Sequence, residues 1–282
     1  DGRTELDVLV EQILRVESLT DPKDPTYEKL RQGIVPKGLS SEKVKLAQAD
    51  VRAQPITTAE LCNRMIDHVA DNLNREINSG YDTVKVNTTV LNIMAAILEK
   101  VHPKGEAEDD PIALEAYRKK QREMMDFGGA RLVIDIIGCK PPAPRMLVEA
   151  AIDFGIEMLD LHNPDVQADM LEYLNNGRSD QFFFNCREYL IAAEKAIVTE
   201  RAQAAKGAGS FEDAYEKKQR FTMGLVELLR LFMEGHNLAM QDILRAQPEN
   251  KKDFNLLGDV VDLCSTIAKD AQVLRGLPTL LL

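Results

Sequence analysis

Leu225, Leu228, Leu229, Phe232 and Met233 recur at helical spacing, an apolar stripe broad enough to bury against other helices. The stripe stops at Glu234. Gly235 can take the left-handed turn that closes a helix, and Asn237 is a good N-cap for the next one, Leu238 to Arg245. Glu234-Gly235-His236-Asn237 is therefore predicted to be a tight corner between two helices. A carboxylate at the end of the first helix lies against the local dipole, a conflict that a cation would relieve.

The same period runs through the rest of the chain. Leu6, Leu9, Val10, Ile13 and Leu14 predict a helix that the turn-rich stretch 21–25 interrupts. Helices are expected over 27–32, over 40–52, and from Thr57 or Thr58 through Leu61, Met65, Ile66, Val69 and Leu73 to about Ile77. The run 82–90 is rich in β-branched residues and could be read as a strand on propensity. It continues without a breaker into 91–98, and Val86, Val90, Met94 and Ile97 fall on one helical face, so a helix is expected. Beyond an acidic loop at 105–111, a helix from Ile112 to Phe127 carries Arg118-Lys119-Lys120-Gln121-Arg122, which reads as a solvated basic face.

Gly128-Gly129 separates that helix from the apolar run 132–137, which has the look of a buried armadillo helix. The prolines at 141, 142 and 144 make a rigid turn into a helix from Arg145 to Leu161, burying Leu147, Ala150, Ala151, Phe154, Met158 and Leu159. Asn163 caps the next helix with Pro164 at its first position. A long helix follows from Gln181 to about Ala205, and then a small, flexible linker at 206–210. Ala116-Tyr117-Arg118-Lys119-Lys120-Gln121-Arg122 is echoed by Ala214-Tyr215-Glu216-Lys217-Lys218-Gln219-Arg220, two or more helical repeats of ~40–47 residues later.

Composition narrows the function classes. A length of 282 residues suits about two domains, 44% hydrophobic content is ample for a core, and 5% aromatic content without tryptophan leans toward helices. A net charge of −11 argues against a nucleic-acid surface and suits cation or protein partners. The four cysteines form no Cys-x-x-Cys pair and read as reduced core thiols of a cytosolic or nuclear protein. No catalytic order, nucleotide loop or metalloprotease helix is visible, so the chain is not expected to be an enzyme. His68, His102 and His162 read as surface or satisfied histidines. No signal peptide or apolar run of membrane-spanning length occurs, and the start without Met and the apolar end at 277–282 suggest an excised piece.

Glu234-Gly235-His236-Asn237, followed by Gln241, Ile243-Leu244-Arg245, Gln247, Asn250-Lys251 and Asn255-Leu256, resembles the homology-associated domain shared by inositol trisphosphate receptors and ryanodine receptors. That family usually shows Cys-Glu-Asn-His-Asn at the corner; here Met233 and Gly235 depart from it, while the acidic residue and the histidine are kept. The run 128–137, and Phe182-Phe183 leading into 187–197, look more like the inositol trisphosphate receptor than its ryanodine relative. The resemblance covers about Lys120 to Leu274.

The resemblance implies an all-α, armadillo/HEAT-like helical-repeat solenoid, with central repeats over 1–205, a flexible linker over 206–212 and a homology-associated helical domain over 213–282, truncated at its C-terminal end. It further implies a cytosolic regulatory segment of a tetrameric calcium-release channel, at the cytosolic face of the endoplasmic reticulum. Its partners would be the ligand-binding and channel-proximal regions of the same channel, with no nucleic acid and no membrane contact by this segment. The family's activating site takes a calcium-ligating carboxylate from this corner, which falls on Glu234, with His236 nearby as an orienting group. This is half a calcium site; its other ligands lie beyond Leu282. The alternative is a free-standing helical-repeat scaffold that binds a peptide or protein in a concave groove.

Overall fold

A computed structural model describes residues 57–74, 81–175, 179–204 and 212–269. The helices expected over 6–14, 27–32 and 40–52, and the linker at 206–210, lie outside the described residues.

The described chain is all-α, as expected: α1 (Thr58–Asn74), α2 (Tyr81–Val101), a 3-10 turn (Gly105–Asp109), α3 (Pro111–Asp126), α4 (Gly129–Ile137), α5 (Arg145–Leu159), α6 (Pro164–Asn175), α7 (Asp180–Ala204), α8 (Glu212–Phe232), a 3-10 turn (Glu234–His236), α9 (Leu238–Arg245) and α10 (Leu256–Ala268). Each helix packs mainly on near neighbours in the chain or one repeat away, the arrangement of a helical-repeat solenoid. Among the described residues, no helix is long and apolar enough to cross a membrane.

Helix α5 is the centre. It packs against α2, α4 and α8, and all six side chains expected to be buried on it are buried. Gly155 lets these helices close up: a Cβ there would stand 3.0 Å from both Leu228 Cδ1 of α8 and Val133 Cγ1 of α4. On α8 four of the five residues of the predicted stripe lie inside, Leu225, Leu228, Leu229 and Phe232 at 1% exposure or less, joined by Leu231, while Met233 just beyond the helix is partly buried. At about 2 kcal/mol for each buried leucine or phenylalanine, this face fixes the end of α8 firmly onto α5.

Local signals set the helix ends. Thr57 Oγ1 accepts from Glu60 N at 3.1 Å to start α1, Asp110 Oδ1 accepts from Ile112 N at 3.0 Å to start α3, and Asn163 Oδ1 accepts from Asp165 N at 3.1 Å ahead of α6. Gly128, with φ of 89°, makes the left-handed junction between α3 and α4.

Three expectations need correction. The run 82–90 is helical and Met94 and Ile97 are buried as expected, but the first turns face inward through Val84, Asn87 and Leu91, and Val86 is 49% exposed. Asn87 can face inward because Asn72 Nδ2 of α1 donates to its Oδ1 at 2.9 Å. The basic run on α3 is not simply a solvated face: Gln121 is fully buried and Arg118 is half-buried. The cysteines are free, yet only Cys62 and Cys186 are core residues, while Cys264 is exposed.

Candidate functional site

The corner after α8 is built by backbone geometry first. Met233 N donates to Arg230 O at 3.0 Å, closing the helix, and Gly235 and His236 then take φ of 70° and 60°. Asn237 Oδ1 accepts from Met240 N at 3.1 Å and so caps α9. Both the left-handed glycine and the asparagine cap stand where the sequence places them.

A buried glutamine of α6 holds this corner from below. Gln167 Nε2 donates to Leu231 O at 2.8 Å and to Glu234 O at 3.1 Å, while its Oε1 accepts from Asn237 Nδ2 at 3.3 Å. The carbonyls at the end of α8 have no partner within their own helix, and Gln167 satisfies that of Leu231 together with that of Glu234 in the turn beyond. One side chain thus ties the end of one helix to the cap of the next.

The turn between α5 and α6 covers the corner from the other side. Leu161 and His162 both have positive φ, 55° and 54°, and Arg118 Nη2 of α3 donates to their carbonyls at 3.1 and 2.9 Å. Gln121 Nε2 donates to Glu157 O at 2.9 Å and Asp160 O at 3.0 Å, and its Oε1 accepts from Asn163 Nδ2 at 2.9 Å. The imidazole of His162 consequently lies over Gly235: a Cβ on Gly235 would stand 2.0 Å from His162 Nε2. His162, which by sequence alone reads as a surface or satisfied histidine, is thus a packing element of the corner, and neither Gln121 nor Gln167 carries a sequence signal for its role.

Glu234 is partly buried, with a side-chain exposure of 34%. Its Oε1 stands 3.7 Å from Arg230 Nη1, a loose pairing, because Arg230 is committed to Glu227 through Nε at 2.8 Å and Nη2 at 2.7 Å. Hydrogen bonding to Glu227 raises the Arg230 pKa above its ordinary value, with the charges of Glu227, Glu234 and Asp160 adding to it. Glu234 Oε2 is buried and accepts no hydrogen bond. A buried carboxylate oxygen without a donor is costly. His236 is exposed at the outer edge of the corner. Among the described residues, no group of three or more His, Cys, Asp or Glu side chains is gathered as a metal site.

A second polar cluster lies behind the corner. His102 Nε2 stands 2.8 Å from Asp160 Oδ2 and its ring meets Tyr117 edge-on at 5.0 Å. Tyr117 Oη donates to Glu157 O at 2.9 Å. Burial, reinforced by the charges of Asp160 and Glu99, pushes the Glu157 carboxyl up to about 7. His102 is thus a satisfied structural histidine, as its sequence position suggests.

Residues 216–276 match the family model described as RyR and IP3R Homology associated. The matched span contains the whole corner, the α9 cap and the turn leading into α10. The resemblance carried by Glu234, His236 and Asn237 is thereby supported at the level of that homology-associated domain.

Proposed function

We propose that this chain is a cytosolic regulatory solenoid of a tetrameric, ligand-gated calcium-release channel of the inositol trisphosphate receptor type. Helices α2 to α10 carry displacement between a ligand-binding region and a channel-proximal region, and the corner supplies Glu234 to the activating calcium site. The observation that carries this reading is the match of residues 216–276, with Glu234 at the corner inside that span.

Calcium takes 6–8 oxygen ligands, so a lone carboxylate cannot dehydrate it, and the remaining oxygens come from other parts of the channel. Glu234 binds directly through its carboxylate. His236 is the orienting group, better suited to hold a ligand or water in place than to ligate a hard cation. Gln167 and His162 fix where the carboxylate stands by fixing the backbone that carries it.

Calorimetric calcium titration of this chain, and of a version extended by the channel sequence that follows it, tests the proposal. Calcium binding should be gained by the extended version and removed from it by Glu234→Gln. Binding that survives Glu234→Gln would sink the assignment of the site. In the complete channel the same substitution should raise the calcium needed for opening.

A further inference from the structure

On the face formed by the α4–α5 turn, the start of α7 and the loop between α9 and α10, a concave groove of about 780 Å³ is open to solvent. Its floor is apolar: Pro141 and Pro142, Phe254, and Phe184, which is 39% exposed and meets Phe254 edge-on at 6.0 Å. Its rim is basic. Lys140, Lys251 and Lys252 are all exposed lining residues, and none of them pairs with a described acidic side chain. Three such lysines around an aromatic floor are out of keeping with a chain of net charge −11.

The loop that presents two of these lysines is pinned by Gln247 to Asp253 and Phe254. Gln247 is buried; its N donates to Asp253 Oδ1 at 2.7 Å, its Oε1 accepts from Phe254 N at 2.7 Å and its Nε2 donates to Phe254 O at 2.9 Å. Asn250 N donates to Gln247 O at 3.0 Å. Phe254 is thereby fixed in the floor, with Arg187 lying over its ring at 5.8 Å. A preformed groove loses little conformational freedom when it is filled.

From this geometry we infer that the groove docks an acidic peptide segment carrying an aromatic or leucine anchor. The lysines receive its carboxylates and the floor receives its apolar side chain. The volume falls within the range of ligand-sized pockets and admits a few residues. The floor decides between a peptide and a purely anionic ligand: Phe184, Pro141 and Pro142 call for an apolar group over them, and Asp180, which lines the same groove, sets a negative charge against a compact anion such as a phosphate or lipid headgroup. This inference is independent of the calcium reading of the corner.

The test is fluorescence anisotropy with the whole chain and a labelled, end-capped peptide, Glu-Asp-Leu-Phe-Glu-Asp, at two ionic strengths. Binding should be saturable and weaken with salt. Lys251→Glu with Lys252→Glu should weaken it by about tenfold or more, as two reversed charges near bound carboxylates require. Phe184→Ser, a surface change checked for folding by thermal melting, should weaken it by about fivefold through loss of apolar contact. The same peptide with both Leu and Phe replaced by Ser should bind weakly or not at all. Equal affinity of the two peptides, insensitivity to the lysine reversals, or absence of binding would each overturn the inference. So would lysine-dependent binding of inorganic phosphate or phosphatidylserine vesicles that the peptide does not compete away.

Discussion

Placing a methyl group on Gly235 tests the construction of the corner directly. With φ of 70°, Gly235→Ala forces an L side chain into the left-handed region, at a cost of about 1–2 kcal/mol. The new Cβ would also meet three ring atoms of His162, Nε2 at 2.0 Å, Cε1 at 2.3 Å and Cδ2 at 2.7 Å. Ordinary carbon contacts lie near 3.5–4.0 Å, so the ring must move by well over an ångström. The ring is partly exposed and can swing outward, which puts this overpacking near the low end of its usual range, about 1 kcal/mol. The total is about 2–3 kcal/mol. Urea unfolding of Gly235→Ala, His162→Ala and the double variant separates the two contributions. In the His162→Ala background the alanine should cost about 1–2 kcal/mol, the backbone part alone. An equal cost in both backgrounds would refute the packing of His162 over Gly235.

Two further outcomes follow from the buried polar groups. Gln167→Leu keeps the volume but leaves Leu231 O and Glu234 O without donors, and should destabilise by about 2–4 kcal/mol in urea unfolding, whereas a surface glutamine change would cost almost nothing. Glu157 has its carboxyl raised to about 7 from its ordinary value of 4.5, so between those values the folded state holds a proton that the unfolded state has released. Stability should therefore fall as pH rises through that window, by about 1–2 kcal/mol after allowing for partial exposure, and Glu157→Gln should flatten the slope measured from pH 5 to 8.

Much of this architecture was legible because it is local. Asn163 and Asn237 cap helices within three residues of themselves, and Gly235 answers a backbone requirement of its own position. The helix over 81–101 was legible from continuity, and so was the burial of Met94 and Ile97, but the inward face of its first turns was not, since Val86 looks a better core residue than Asn87 until Asn72 is known to face it. Gln121 and Gln167 were invisible for a similar reason. Each serves carbonyls more than thirty residues away at the ends of other helices, and nothing in the neighbouring sequence marks an amide as buried. The orphaned oxygen of Glu234 is likewise a property of the packed state. A position against the helix dipole could be read beforehand, whereas Arg230's commitment to Glu227 could not.

The chain of amide and guanidinium contacts from α3 to the corner has a kinetic consequence. Arg118 and Gln121 grip the α5–α6 turn, His162 of that turn lies on Gly235, and Gln167 one turn into α6 grips the corner's carbonyls. Arg118, Gln121 and Gln167 cannot let go without leaving backbone carbonyls short of a donor. The corner is therefore not free to fray as helix ends usually do; it opens together with the neighbouring turn, as one cooperative unit. The position of Glu234 is in this sense inherited from α3, more than a hundred residues earlier in the chain.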